Sequence, residues 1–348
     1  MKNDNIVNVL KVFLCCVGTV IGAGFASGQE IMTFFVRYGK ISAVSMAMCG
    51  ALFFAYIYVV LKKVSTCNVE TFEDYFEDVA GAKTASALQW ISYAFMFASF
   101  CVMVSGSGAV AEQMFGAQTC GVLLMASLCF FVFLKGTDGM VIVNAFMTPV
   151  IIVGIVLIGV LTFFAAEDVF APVFNVKNNF LTSGLLYLSY NTITLIGVLL
   201  PLKDNVKNKK TAFCSALLSG GTLFLMGAVL LFALFMFENE LEGVSVPVLY
   251  IAEKINKVSG YVYALVLYMA MITTAVSSGY AFLSFLKKYV RLNHIALAFM
   301  LCAVSVPMSY VGFADLVDKL YTFFGFLGMF LLFSVFFDGF RRIKKKKL

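Results

Sequence analysis

Apolar residues run in long blocks along nearly the whole chain, separated by short polar turns. The blocks fall at 9–36, 41–61, 85–113, 119–134, 140–165, 180–202, 211–237, 260–286, 293–311 and 318–340. Most reach the roughly 20 residues that an α-helix needs to cross a hydrocarbon core about 30 Å thick. The pattern therefore predicts an all-α integral membrane protein with ten spans. Two segments between blocks carry an amphipathic helical pattern of their own. Phe72, Tyr75, Phe76 and Val79 recur at helical spacing, opposite an acidic face of Glu70, Glu73, Asp74, Glu77 and Asp78. Thr71 is placed to cap that helix and Gly81 to stop it. Anionic lipid repels an acidic face, so this helix is expected to pack against the protein. Further on, Pro247 opens a second short helix with Val248, Ile251, Ala252 and Ile255 on one stripe, read as a cap on the opposite side.

Two blocks are interrupted. The first reads LCCVGTVIGAGFASGQEIMTFFVRY over residues 14–38, with Gly18, Gly22, Gly24 and Gly28 in its middle. Either the glycines serve close helix packing, in the small-xxx-small pattern, or the helix opens there. Open backbone at membrane depth survives only where protein or a wet cavity surrounds it, because each unpaired group in hydrocarbon costs several kcal/mol. The sixth block carries Ser189-Tyr190-Asn191-Thr192 at its centre, flanked by Gly184 and Gly197. Ten spans divide into five and five, and an odd number per half inverts the second half (about 180–340) against the first (about 9–165). The first and sixth blocks are then equivalent, and paired interruptions point to a binding site near the bilayer midplane. The chain is read as a single transmembrane unit over 1–348.

Composition agrees with the membrane reading: 61% of the 348 residues are hydrophobic and 13% charged. The net charge of +6 belongs to topology and not to nucleic acid. With the N-terminus inside, 19 of the 25 Lys and Arg fall on the inner side, and Arg37, Lys40, Lys177, Lys254, Lys257 and Lys319 outside. Both termini are thus expected in the cytoplasm of a multi-pass cell-membrane protein, with the basic tail against lipid headgroups. Nine cysteines without a CxxC pair, and the single His294, suggest neither a disulfide framework nor a metal centre. No HExxH or GxSxG motif supports an enzyme, and no organic cofactor is implied.

If the first block opens near Gly22-Ala23-Gly24, the half-helix beginning at Phe25 points free amides at the gap, a seat for a carboxylate. Carbonyls freed on the other side suit a small hard cation. The eighth block offers Ala270, Thr273 and Thr274 in A-x-x-T-T spacing, one carbonyl and two hydroxyls that can turn to one point. That spacing resembles the sodium site shared by LeuT-fold transporters, the neurotransmitter:sodium and solute:sodium symporters. The resemblance implies sodium as coupling ion, held by the carbonyls of Gly18, Ile21 and Ala270 and the hydroxyls of Thr273 and Thr274. GTVIGAGFASGQEI also looks like the glycine-rich GxG of amino-acid permeases. As a whole the chain resembles the YkvI-type amino-acid permeases of the amino acid–polyamine–organocation superfamily. This implies a LeuT-type fold, a 5+5 inverted repeat, and broken helices 1 and 6. Two departures follow. Phe25 stands where an additional sodium site of the neurotransmitter symporters uses Asn, and residues 140–165 hold no Lys to replace sodium.

The expected function is a secondary active transporter: a sodium-coupled symporter of an amino acid or similar small zwitterion, by alternating access. The alternatives are a proton-coupled or uncoupled permease or exporter, and a permease-like membrane ligand sensor. Gly22, Ala23, Gly24, Phe25, Ser189, Tyr190, Asn191 and Ser278 are the expected substrate contacts, though Ser277 and Ser278 serve equally as bonds within their own helix. Glu30 is ionisable and within the membrane, hence functional by default. It is open to four roles: a gate paired with Arg37 or another outer cation, an amine site, a proton relay, or a structural carboxylate bonded to helix ends.

Overall fold

The computed structural model describes residues 2–66, 72–165, 178–206 and 208–345. Thr71 and Glu70, expected at the start of the first amphipathic helix, lie outside them, as do Lys177 and Lys207. The described chain is all helical. In order come α1 (Lys2–Val20), α2 (Ala23–Ala26), α3 (Gln29–Phe34), α4 (Ser42–Thr66), α5 (Phe72–Ala80), α6 (Ala82–Phe115), α7 (Gln118–Leu134) and α8 (Gly136–Ala165). Then follow α9 (Phe180–Leu199), α10 (Lys209–Met236), α11 (Pro247–Ile255), α12 (Lys257–Tyr289), α13 (His294–Ser309), α14 (Phe313–Leu316) and α15 (Thr322–Lys345). A π-helical turn, Val317–Tyr321, joins the last two.

Among the described residues, seven helical stretches are long and apolar enough to cross a membrane. Ile6–Val20, Gln118–Leu134 and His294–Ser309 are shorter apolar helices. The bundle keeps its large apolar side chains on both inside and outside. Phe323, Phe326, Phe330, Phe333, Phe337 and Phe340 form an exposed stripe along α15, at the three- and four-residue spacing of one helix face. In water such a stripe would drive association, whereas hydrocarbon solvates it. The protein is an integral membrane protein.

The two amphipathic helices fold onto the bundle. α5 buries Tyr75 and Phe76 against α6 and α15. Lys63, at the end of α4, fastens it. The Lys63 ammonium lies 3.1 Å from Asp78 Oδ2, 3.2 Å from Asp338 Oδ2 and 3.1 Å from the Tyr75 carbonyl, and 4.0 Å from the centre of the Tyr75 ring. A lysine side chain only 1% exposed survives because two carboxylates, a carbonyl and a ring face replace its water. At α11, Val248, Ile251 and Ala252 are buried as the stripe predicts, and Leu249 joins them. The Lys254 ammonium on this helix pairs with the exposed Glu240 and holds that carboxyl below its ordinary 4.5.

Candidate functional site

The first block is broken, and glycine explains how. The Ile21 amide still reaches the Val17 carbonyl (2.8 Å), but the Gly22 amide turns back to Val20 (2.9 Å). Gly22 itself is extended, at φ −90° and ψ −172°. Helix resumes at Ala23, where the Ala26 amide bonds the Gly22 carbonyl. Among the backbone bonds of the described residues, none reaches the carbonyls of Gly18 or Ile21 or leaves the amides of Ala23, Gly24 or Phe25. A second interruption follows at Ser27-Gly28, where Gly28 has φ +82°, a left-handed conformation that glycine adopts without steric cost. Groups from elsewhere brace this second bend. The Val248 amide at the start of α11 donates to the Ser27 carbonyl (3.0 Å), and the Tyr263 hydroxyl on α12 donates to Ala26 (2.5 Å).

The glycines also pack, so the two readings of the sequence describe one structure. A β-carbon on Gly22 would stand 2.9 Å from the Thr274 hydroxyl oxygen, and one on Gly18 would stand 2.9 Å from the Thr148 methyl on α8. Thr274 therefore lies directly against the opening. Thr273 is buried and donates to the Ala270 carbonyl at 2.8 Å. This leaves the Thr273 oxygen lone pairs available to a cation, while ligation by Ala270 requires that hydroxyl to turn away. Ser278 bonds within α12, to the Thr274 carbonyl at 2.6 Å.

The sixth block contradicts its expectation. α9 runs unbroken from Phe180 to Leu199. Its polar side chains bond their own helix: Ser189 to Leu185 (2.6 Å), Asn191 to Tyr187 (2.9 Å), Thr192 to Ser189 (2.7 Å) and Thr194 to Asn191 (2.8 Å). These four side chains are satisfied without opening the backbone. Extra donors from α4 reach the same helix, Cys49 to the Gly184 carbonyl and Tyr56 to Thr192. Helix 6 is thus intact in this structure.

Glu30 is 4% exposed. A β-carbon on Gly24 would collide with its carboxylate, so the absence of a side chain there is what admits it. The hydroxyl of Tyr190, from α9, stands beside it. Arg37 is not its partner: Arg37 Nη1 pairs with Asp318 Oδ1 at 2.7 Å, on the half-exposed turn before α15. Of the roles open to Glu30, a pair with Arg37 is not made in this structure, where Arg37 ties to Asp318. The structure thus gathers Gly18, Ile21, Gly22, Gly24, Thr274, Glu30 and Tyr190 around the first helix break. Asn191 and Ser189 face their own helix instead. Sequence reasoning missed two residues that touch this segment: Thr148, against Gly18, and Tyr263, on the Ala26 carbonyl. Thr148 had a signal, a hydroxyl immediately before Pro149 in a block whose only other polar side chains are Asn144 and Thr162.

A broken first helix laid against the eighth long helix is the arrangement of LeuT-type transporters, and the comparison of structures agrees. The chain superposes on MhsT, solved in complex with L-phenylalanine, with a TM-score of 0.66 over 93% of this chain and 87% of that one, at 11% identity. The fold is the LeuT type. In sequence the chain is 25% identical over 324 residues to the uncharacterized membrane protein YkvI of Bacillus subtilis (strain 168), covering 90% of this chain and 91% of YkvI. It is 23% identical over 323 residues to YyaD of the same organism, covering 93% and 94%. The resemblance to YkvI read from the sequence therefore holds over nearly the full length. No family model matches the chain.

Proposed function

We propose that the protein is a secondary active transporter, a sodium-coupled symporter of an amino acid or similar small zwitterion. One observation carries this reading: the backbone of the first helix opens at Ile21-Gly22 with the Thr274 hydroxyl against it. In this reading the carbonyls of Gly18 and Ile21, with Ala270, Thr273 and Thr274, hold sodium. The amides of Ala23, Gly24 and Phe25 receive the carboxylate of the solute, beside Tyr190. Ion and solute share one opened segment, so each preorganises it for the other and raises the other's affinity. The three shorter apolar helices complete ten spans in two inverted halves of one unit, with both termini in the cytoplasm, and one bundle rocks against the rest. Since α9 is intact, the halves are asymmetric at the site.

A second reading has its own support. Glu30 is a buried carboxylate near the same opening, and a proton could couple through it. Uptake into proteoliposomes from a panel of amino acids, with and without a sodium gradient, separates the two. Sodium-driven accumulation is expected; uptake indifferent to sodium and dependent on pH would overturn the coupling ion and favour Glu30.

A further inference from the structure

Three buried polar atoms near the helix break lack a partner of hydrogen-bond geometry among the described residues: Glu30 Oε2, Thr33 Oγ1 and Tyr190 Oη. Glu30 and Thr33 lie one turn apart on α3, so their side chains share a face. Tyr190 approaches the Glu30 carboxylate from α9. None of the ion pairs of the described residues includes Glu30: Arg37 is held by Asp318, Lys319 by Asp315, and Lys63 by Asp78 and Asp338. The wall of this corner is aromatic. The Tyr190 ring centre lies 4.8 Å from that of Tyr321, 5.5 Å from Phe34, 5.7 Å from Tyr187 and 5.8 Å from Phe95.

We propose that Glu30 is the counter-ion for a primary ammonium group of the transported solute, with the hydroxyls of Tyr190 and Thr33 as its other acceptors. This deepens the symport reading and rests on it. A buried carboxylate without a cation is costly, and a visiting ammonium removes that cost. An –NH3+ group brings three donors and no acceptor, matching one carboxylate oxygen and two hydroxyls. The ring wall favours a cation in the same corner. Glu30 repels a second carboxylate, so a zwitterion is oriented with its ammonium toward Glu30 and its carboxylate toward the open amides of Ala23–Phe25.

The test is thermal stabilisation of the purified full chain, in sodium, by three sets of compounds. The first set is the twenty standard amino acids. The second is ethylamine, isopentylamine and phenethylamine, and the third is their acid counterparts propionate, 4-methylpentanoate and 3-phenylpropionate. Every stabilising compound is expected to carry a primary ammonium. Glu30→Gln should weaken its binding about tenfold or more, the loss expected for a charge-assisted bond. Tyr190→Phe, which keeps the ring, should weaken it by a smaller factor and serves if Glu30→Gln does not fold. The proposal fails if a deaminated acid stabilises as well as its amino acid. It also fails if no ammonium compound stabilises, or if Glu30→Gln binds like the parent and loses only its pH dependence. Sodium-driven uptake of a solute without an ammonium would sink this assignment and leave the symport reading standing. Ammonium binding that needs Glu30 but ignores sodium would do the reverse.

Discussion

The first helix and α9 meet the same demand, polar chemistry inside a membrane bundle, in opposite ways. In the first, the backbone leaves its helical ladder: the Gly22 amide turns back to Val20, and the carbonyls of Ser27 and Ala26 accept from Val248 and Tyr263 of other helices. In α9, Ser189, Asn191, Thr192 and Thr194 place their polar atoms on carbonyls of their own helix, which stays whole. Glycine has no side chain with which to satisfy its surroundings, so the backbone itself becomes the polar surface. A short polar side chain spares the backbone. A run of small and polar residues in a membrane helix is thus not one signal but two, and only the glycine-rich kind opens the chain here.

Substitutions that add or remove atoms at these places sharpen the contrast. The largest effect is expected from Gly24→Val. Its side chain would occupy the space of the Glu30 carboxylate, overpacking the opening at a cost of about 1–3 kcal/mol and displacing Glu30. Chemical unfolding should register the stability loss, and proteoliposome uptake should be abolished. Gly28→Ala comes next, at about 1–2 kcal/mol for a left-handed non-glycine residue, before any contact with the Val248 methyl that a β-carbon would approach at 2.6 Å. Asn191→Ala should lose about 1 kcal/mol, one side-chain hydrogen bond, without change in helix content by circular dichroism. A loss of helix content in that variant would mean that α9 depends on Asn191 to remain closed.

The smallest effect belongs to the α11 cap. Lys254 lowers the Glu240 carboxyl below its ordinary 4.5, so the folded state favours the ionised form. The contribution is full above that value and fades as pH falls through the lower folded one. Both groups are exposed, so the pair is weak. Glu240→Gln should unfold slightly more easily than the parent at neutral pH, and the difference should vanish in acid.

Most of the fold was legible in the chain because bilayer thickness and helix rise leave little freedom: apart from the broken first block and the π-turn in the last, each apolar block became one helix within about five residues of its expected ends. The break at Ile21-Gly22 was legible for a related reason, since four glycines in one membrane span have few uses. The state of α9 was not. Whether Asn191 bonds its own turn or a ligand depends on rotamer and on neighbours such as Tyr56 and Cys49, which are distant in sequence. The partner of Arg37 was hidden likewise, because Asp318 lies 281 residues away. Thr33 is an ordinary residue in sequence, and only its burial without a partner makes it a candidate.

The central claim is that the first helix opens at Ile21-Gly22, leaving the amides of Ala23–Phe25 without backbone partners, and that sodium orders this segment, while α9 is closed throughout. Amide hydrogen exchange of the full chain in sodium against potassium tests this most directly. The account predicts fast exchange over Ala23–Phe25 in potassium, slowed in sodium, with Ser189–Thr192 protected equally in both. Equal protection of the two segments in potassium, or exchange at Ala23–Phe25 that sodium leaves unchanged, would contradict it.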